Sequence, residues 1–346
     1  MDKQKEGEAF RSAWKGMNGQ VTPLAMRRFE ARREAYTPFQ IAKLDPIFRD
    51  AVRYHVLASD SWISRLSSRR SHVDPTRLFR DHPQYALMAL HAPSGQMREL
   101  AVRWAPMKDP AALTMLLLRC NDWSAVVRTA AFKRLDDSLS QLNDRQIAQL
   151  ALFLLARVPH WGRGGADVLP RFKALPKWPA AVKMMLKTSQ YGPLAKTMRQ
   201  LLRHPDHDWM LPELAMRAKS AFVRAVACDT VLTGRAKWHV GYDWVWEDRV
   251  YNLGRRRALY DSRPVPVSSQ CRAMILRSAC NDKSAKVRCL AAEYFISNGI
   301  AKHGDLAQTL LQDRARTVRE RMTYSTKKWS AHPEEIDSVQ SSPTRS

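Results

Sequence analysis

One short pattern returns along the chain and constrains its fold more than any other feature. An apolar residue is followed by arginine, and alanine stands three residues after the arginine; the copies are Met97-Arg98…Ala101, Val127-Arg128…Ala131, Val223-Arg224…Ala227 and Val287-Arg288…Ala291, with a looser one at Val318-Arg319. Successive arginines lie 30, 96, 64 and 31 residues apart, and the two long intervals are close to three and two periods of about 32. A repeat of this length is typical of stacked helical hairpins, in which each unit buries its apolar face against its neighbours.

Short polar joints separate apolar segments along most of the chain and predict a series of helices. Asn121-Asp122, Asn143-Asp144 and Asn281-Asp282 supply turn and capping chemistry between such segments. Helices at hairpin spacing are predicted over 146–158, 179–188, 194–203, 210–219 and 221–232. Because no alternating strand pattern is visible, the predicted class is all-α, in the form of a helical-repeat superhelix or α-solenoid.

The chain divides into three predicted parts. Residues 1–76 form an N-terminal helical extension, in which Thr37-Pro38 and Asp45-Pro46 each open a short helix. Residues 77–328 form the repeat array, whose least regular stretch, 234–265, is rich in tryptophan and arginine. Residues 329–346 are rich in Ser, Pro and Glu, and this composition predicts a disordered tail.

The charge balance indicates the class of partner. The chain carries 57 Lys and Arg against 33 Asp and Glu, a net charge of +24. Residues 217–328 hold 22 of the basic and 10 of the acidic residues, so about half of the excess lies in the C-terminal repeats. Such a positive field attracts polyanions, and nucleic acid is therefore favoured over a membrane surface or an acidic protein.

Cysteine usage and the N-terminus predict a cytoplasmic protein. The five cysteines are odd in number and contain no C-x-x-C pair, which is typical of reduced thiols in a chain of this size. The first residues are charged and lack the apolar stretch of a signal peptide. The longest apolar segment, near 150–158, is too short to span a membrane. We expect a monomer with no membrane partner.

An aspartate stands shortly before three of the repeated arginines, and this arrangement has two interpretations. The pattern, formed by Asp122, Asp282 and Asp313, resembles HEAT repeats, which implies that the aspartate caps a helix and the arginine pairs with a neighbouring repeat. In the alternative, arginines rim a basic concave groove that holds a DNA duplex: Arg98, Arg128, Arg224 and Arg319, with Arg255, Arg256 and Arg257. Pairing is favoured because unpaired charge near a core is costly, although both can hold at once.

A second group of residues suggests a catalytic site. Trp244 and Asp248 are four residues apart, so they would share one face of a helix. Arg288 follows forty residues later, and Tyr324 stands five residues after Arg319 in the last repeat. An aromatic, a carboxylate, an arginine and a second aromatic therefore fall on successive repeats and could face one concavity.

This group resembles the active site of the HEAT-repeat alkylpurine DNA glycosylases over about 205–328. The family signature has a Trp-x-x-x-Asp pair, which Trp244 and Asp248 match, an arginine in the next unit, matched by Arg288, and a final tryptophan, where this chain has Tyr324. The tyrosine keeps a π-face but changes its size and adds a hydroxyl. Asp243, Trp246 and Glu247 offer alternative registers for the first pair.

The resemblance implies a monofunctional DNA glycosylase that leaves an abasic site. Asp248 would stabilise the cationic sugar and activate the attacking water. Trp244 and Tyr324 would contact the cationic sugar or base with their ring faces. Arg288 would bind a phosphate. Neither a metal nor a cofactor is required. The substrate would be an alkylated purine or a bulky modified base such as those of phage DNA, which implies a role in repair or in defence.

Two further hypotheses come from the residues alone. One is a non-catalytic scaffold that holds nucleic acid or an acidic partner, and the other is a protein–protein adaptor. In both, Asp248 is a surface residue paired with Arg249 or with the arginine run at 255–257, and Trp244 packs in a core. The segments 204–208 and 162–165 contain metal-ligand and glycine-rich residue types, but both are interpreted as joints between helices.

Overall fold

The computed structural model describes residues 4–8, 30–59, 75–300 and 303–331, with the backbone alone for 51–59 and 331. Helices dominate the described residues, and one two-stranded antiparallel sheet interrupts them. None of these helices has the length and apolar character of a membrane span. Contacts divide the chain into two compact units, 1–182 and 183–346.

The helices of the first unit are α1 (Pro38–Ser59), α2 (Pro75–Asp81), α3 (Gln84–Ala89), α4 (Gly95–Trp104), α5 (Pro110–Cys120), α6 (Ala125–Leu139), α7 (Asp144–Arg157) and α8 (Gly165–Lys173), with a 3₁₀ turn at Val158–His160. Helix α9 (Trp178–Thr188) spans the division between the units. The second unit holds α10 (Leu194–Leu201), a 3₁₀ helix at Pro205–Met210, α11 (Leu211–Arg217), α12 (Ala221–Thr233), β1 (Arg235–Asp248), β2 (Leu253–Pro264), α13 (Ser269–Cys280), α14 (Ala285–Asn298), α15 (Gly304–Leu311) and α16 (Arg316–Ala331). The five helices predicted between 146 and 232 are confirmed, with ends that shift by at most two residues.

Helix α1 packs against α5 and contributes Ile41, Leu44 and Phe48 to the core. The prediction that Thr37-Pro38 and Asp45-Pro46 open separate helices is wrong, because one helix runs through Pro46. A proline inside a helix removes one backbone hydrogen bond. Asp45 does not cap a helix there; its carboxylate is buried against charged residues of the repeats.

A buried charge network ties α1 to the repeats of the first unit. The Asp45 carboxylate accepts from Arg119 Nη2 at 2.5 Å and from His91 Nδ1 at 2.7 Å, and it lies 2.8 Å from Arg49 Nε. Burial alone would raise the pKa of Asp45, but Arg119, His91 and Arg49 together hold that pKa well below its usual range. Burial also lowers the pKa of His91, which favours its neutral form.

In the second unit α14 packs against both α12 and α16. The apolar partners of the repeated arginines, Val223, Val287 and Val318, are fully buried at these contacts. Helix α12 ends at Gly234, whose φ of 66° lies in the left-handed region that favours glycine. The chain then leaves the stack as the β1–β2 hairpin and returns at Val265, whose N–H donates to Gly234 O at 2.8 Å.

The described residues are mostly helical, in agreement with the all-α prediction, and the hairpin is their one small sheet. The hairpin does correct the interpretation of the 64-residue repeat interval of this unit. Arg224 and Arg288 are 64 residues apart, and this distance was expected to hold two repeats. The helices that carry them, α12 and α14, instead pack directly against each other. Residues 235–264 are an insertion of 30 residues, and without them the interval corresponds to one repeat period. The region without a regular pattern is therefore a pair of strands added to one repeat.

The first residues of the predicted disordered tail, 329–331, are helical instead. Helix α16 continues to Ala331, and Trp329 is buried with its Nε1 donating to Phe295 O at 2.9 Å. The rest of that tail, 332–346, lies outside the described residues.

Replacement of Asp45 tests the buried network. Asp45→Asn leaves Arg119 without its closest carboxylate, and removal of one partner of a buried pair costs about 3–5 kcal/mol. We expect the urea midpoint of the first unit to fall accordingly. The exposed pair Arg77–Asp81 provides the control, since Asp81→Asn should cost at most about 1 kcal/mol.

The same variant has a pH signature. The carboxylate of Asp45 has a depressed pKa in the fold, so its stabilisation is fully present above the unfolded pKa of about 3.9 and is lost as the pH falls through the folded pKa. Below about pH 4, the free energy of unfolding should therefore fall less steeply with decreasing pH in Asp45→Asn than in the wild type. Equal acid limbs in the two proteins would contradict the network described above.

Candidate nucleic-acid interface

Trp244 and Asp248, the first two predicted catalytic residues, lie on β1 and not on a helix. In an extended strand, residues four apart are about 13 Å from each other. A bulge at Glu247 also intervenes, because Trp246 pairs with Gly254 and Asp248 pairs with Leu253. The prediction that these two side chains meet on one helical face is therefore wrong.

Asp248 holds the turn of the hairpin. Its Oδ1 accepts from the N–H of Val250 at 2.8 Å and from the N–H of Tyr251 at 3.2 Å. The turn closes at Asn252, which has a φ of 54°. An aspartate that accepts from the backbone two and three residues ahead is a common device for fixing a turn, so its placement has a structural explanation.

Arg288 is enclosed by protein groups. Its Nε and Nη2 donate to the Asp313 carboxylate at 2.5 and 2.9 Å, and its Nη1 donates to Asp282 O at 2.7 Å. The hydrogen bond to Asp313 raises the pKa of this already basic group. A buried guanidinium with these partners has no free fork for a phosphate, so the pairing interpretation is confirmed for Arg288.

Tyr324, the last predicted catalytic residue, is exposed on α16. It lines an open hollow with other residues of that helix, among them Arg316, Arg319 and Lys327. No hydrogen bond, ion pair or ring contact joins any two of the four predicted catalytic side chains, all of which lie in the described part of the chain. Within that part, no three His, Cys, Asp or Glu side chains group as metal ligands either.

The repeated arginines form two ladders with one common geometry. In all five, Nη1 donates at 2.6–2.8 Å to the carbonyl six residues earlier, in the joint before the helix. Three of them also direct Nε and Nη2 at the aspartate of the next repeat: Arg98 to Asp122, Arg224 to Asp282 and Arg288 to Asp313. Arg98 and Arg224 are buried in these pairs, so the structure assigns them to repeat stacking and not to the predicted DNA contact.

Arg128 and Arg319 end the two ladders and differ from the other three. Each donates to joint carbonyls through Nη1, but no carboxylate of the described residues faces the rest of its guanidinium. Arg128 is half-buried and Arg319 is exposed. These are the ladder arginines that could still contact an anion.

In the second unit the ladder fixes a row of exposed cations. The residue five positions before each ladder arginine is Lys219, Lys283 or Arg314, and all three side chains are exposed. We call these residues the loop cations. Arg314 Nη2 donates to Lys283 O at 3.1 Å, which joins two successive joints directly. The corresponding positions of the first unit are Pro93 and Trp123, so the row belongs to the second unit.

The base of the hairpin is anchored to the helices of its own unit. Ala236 and Trp238 are buried, and Arg203 lies 5.8 Å from the ring centre of Trp238. Arg263 donates to both oxygens of Asp208 and to the carbonyl of Leu202. Beyond this base both strands are largely exposed.

The pairing register separates the hairpin side chains into two faces, since directly opposed residues lie on the same side. We call the first the aromatic face; it holds Arg235, Lys237, His239, Tyr242, Trp244 and Trp246 from β1 and Gly254, Arg256, Ala258, Tyr260 and Ser262 from β2. The opposite, charged face carries two ion pairs, Arg257–Asp243 at 3.2 Å and Arg255–Glu247 at 2.9 Å. Of the predicted DNA-binding run, Arg256 alone lies on the aromatic face, opposite Trp244, and no carboxylate of the described residues pairs with it.

Comparisons with known proteins do not identify a family. No protein-family model matches the chain, and neither does any curated protein or solved structure. The resemblance to alkylpurine DNA glycosylases stays a prediction.

The role of Asp248 in the turn can be measured directly. Asp248→Asn keeps an oxygen that accepts from Val250 and Tyr251, whereas Asp248→Ala removes it. We expect amide exchange at these two positions to accelerate in the alanine variant and to stay near wild type in the asparagine variant. Equal exchange in both variants and the wild type would show that Asp248 does not hold the turn.

Proposed function

We propose that the chain is a helical-repeat protein that binds double-stranded DNA through its phosphates, using the loop cations and Arg256 of the hairpin. The observation that carries this proposal is the regular position of Lys219, Lys283 and Arg314 on three successive repeats. Sequence-independent contact with a duplex needs cations at fixed intervals and little else.

The ladder gives these cations a defined spacing. Packed helices lie about 8–10 Å apart, so the joints of α12, α14 and α16 follow one another at about that distance. A duplex carries one negative charge per about 1.7 Å of helix axis, so several phosphates lie within each interval between adjacent loop cations. Because Arg224, Arg288 and Arg319 fix the joint carbonyls, the row is preorganised for an extended anion.

The finer architecture is part of the proposal. The stacking of α12, α14 and α16 supports a HEAT-like solenoid for the second unit, with the loop cations along one edge of its repeats. A duplex that lies along this edge would also reach the exposed Arg319 at the end of the ladder of this unit. The Nε and Nη2 groups of Arg319 could then donate to a phosphate.

Base excision is not part of this proposal. Asp248 holds a turn and Arg288 pairs with Asp313, so each predicted catalytic group already has a structural role. The second hypothesis of the sequence analysis, a nucleic-acid-binding scaffold, has the better support. Release of a modified base by the wild type and its loss in Asp248→Asn, with DNA binding kept, would add excision to binding.

The salt dependence of duplex binding tests the proposal. Each phosphate contact contributes about 0.9 to the slope of log affinity against log salt, so the triple variant Lys219→Ala, Lys283→Ala, Arg314→Ala should lower the slope by about 2.7. The readout is anisotropy of a labelled 20-base-pair duplex between about 50 and 200 mM salt.

A matched control removes the same charge from the first helices of the repeats. Lys196, Arg217 and Arg277 are exposed on α10, α11 and α13, and their replacement by alanine should leave most of the slope intact. Equal loss in the two triple variants would show that net charge and not position matters. Absence of wild-type binding at 50 mM salt would refute the proposal.

A further inference from the structure

The aromatic face of the hairpin exposes an unusual amount of ring surface. Tyr242 is 64% exposed, Tyr260 60%, Trp244 46% and Trp246 44%. Large aromatic side chains are mostly buried in folded proteins, and contiguous exposed apolar surface marks a site of interaction. The rings do not complete the core, because Ala236 and Trp238 at the hairpin base already do so.

The rings are held in place by one another. His239 lies between Tyr242 and Tyr260, with ring centres 4.5 and 5.8 Å away. Trp244 and Trp246 meet edge to face at 5.7 Å. Trp244 also crosses the backbone at Gly254, where a Cβ would come within 2.5 Å of its Nε1. A surface of mutually supported rings loses little side-chain freedom when a planar ligand stacks on it.

Charge on the hairpin is segregated between its faces. The aromatic face carries three basic residues, Arg235, Lys237 and Arg256, and no acidic one. The acidic residues of the two strands lie on the charged face or at the bulge, where Asp243 and Glu247 neutralise the neighbours of Arg256. The occupant that fits rings interspersed with unpaired cations is an anion that has planar groups of its own.

We infer that the aromatic face stacks with unpaired nucleic-acid bases, so that the protein prefers DNA with an unpaired stretch beside a duplex. This inference rests on the proposed function. Every base has a π-face, and stacking on aromatic side chains is tolerant of sequence. A perfect duplex hides these faces, whereas a bubble or flap presents them next to the phosphates that the loop cations would bind.

A second copy of this chain is a poorer occupant. Two aromatic faces that meet would bring like charges together, because all the charged residues on each face are basic. The exposed aliphatic side chain of Leu259, which would suit an apolar protein partner, lies on the charged face.

The experiment compares three labelled DNAs of one sequence: a 20-base-pair duplex, the same duplex with a central six-nucleotide bubble, and the single strand. The wild type should bind the bubble more tightly than the duplex. Trp244→Ala with Trp246→Ala should weaken bubble binding about tenfold or more and leave duplex binding within about twofold, since each stacked base contributes on this scale.

Two further variants separate stacking from folding. Trp244→Phe with Trp246→Phe keeps both π-faces and should retain most of the preference for the bubble. Tyr191→Ala with Trp209→Ala removes two exposed rings outside the hairpin and should change nothing. In the wild type, 2-aminopurine placed in the bubble should lose fluorescence on binding, and the double alanine variant should not quench it.

The outcomes distinguish this inference from the proposed function. Failure of the wild type to bind any of the three DNAs at low salt would refute both. Equal binding of bubble and duplex, or an equal loss for both in the double alanine variant, would overturn the stacking inference alone. Wild-type self-association that disappears in this variant would overturn it too and would assign the face to a second copy.

Discussion

The buried arginine–aspartate pair is the interaction on which the repeats of this protein depend. A guanidinium inside a packed stack is tolerated only when a carboxylate and carbonyl oxygens satisfy its donors. Arg288 meets this condition with Asp313 and the Asp282 carbonyl, and the resulting hydrogen bonds hold the pKa of Asp313 below its usual range. Each pair therefore sets both the stacking of two repeats and the position of the joint between them.

This use of arginine decides which cations remain for a ligand. Three arginines of the repeated pattern, Arg98, Arg224 and Arg288, are already paired with aspartates. Basic residues outside the pattern are exposed at the positions that the ladder fixes. Lys219, Lys283 and Arg314 are examples, and Arg256 is another on the hairpin. The segregation of charge on the hairpin has the same logic, since ion pairs on one face leave the other face basic.

Much of the helical part could be predicted from the sequence, because the signals there are local and periodic. Val223, Val287 and Val318 are buried as the repeat implies, and Asp282 and Asp313 pair with the arginines of the preceding repeats. Hydrophobic period and capping residues act within one or two turns of helix, so one sequence contains enough information about them. The arginine–aspartate pairs join residues 24 to 58 positions apart, but they could be predicted because the same pattern returns in each repeat.

The hairpin could not be predicted in the same way, for a physical reason. A strand is recognised by alternation of apolar and polar residues, and this alternation arises when one face is buried. Beyond its base neither face of the hairpin is buried. Its tryptophans therefore alternate with charged residues and valine, and the sequence does not show which side would face a core. The spacing of Trp244 and Asp248 fits one helical face, but even spacing also fits one side of a strand, and the pattern does not choose between them. The prediction that Asp45-Pro46 opens a helix was wrong for a related reason. The buried partners of Asp45, His91 and Arg119, lie 46 and 74 positions away in the sequence.

The most direct test of this account is hydrogen exchange of the whole chain with and without bubble DNA. If the ladder-fixed joints and the hairpin form one nucleic-acid surface, protection should rise together at 218–220, 282–284, 313–315 and 240–260. Protection confined to the first helices of the repeats, with these segments unchanged, would contradict it.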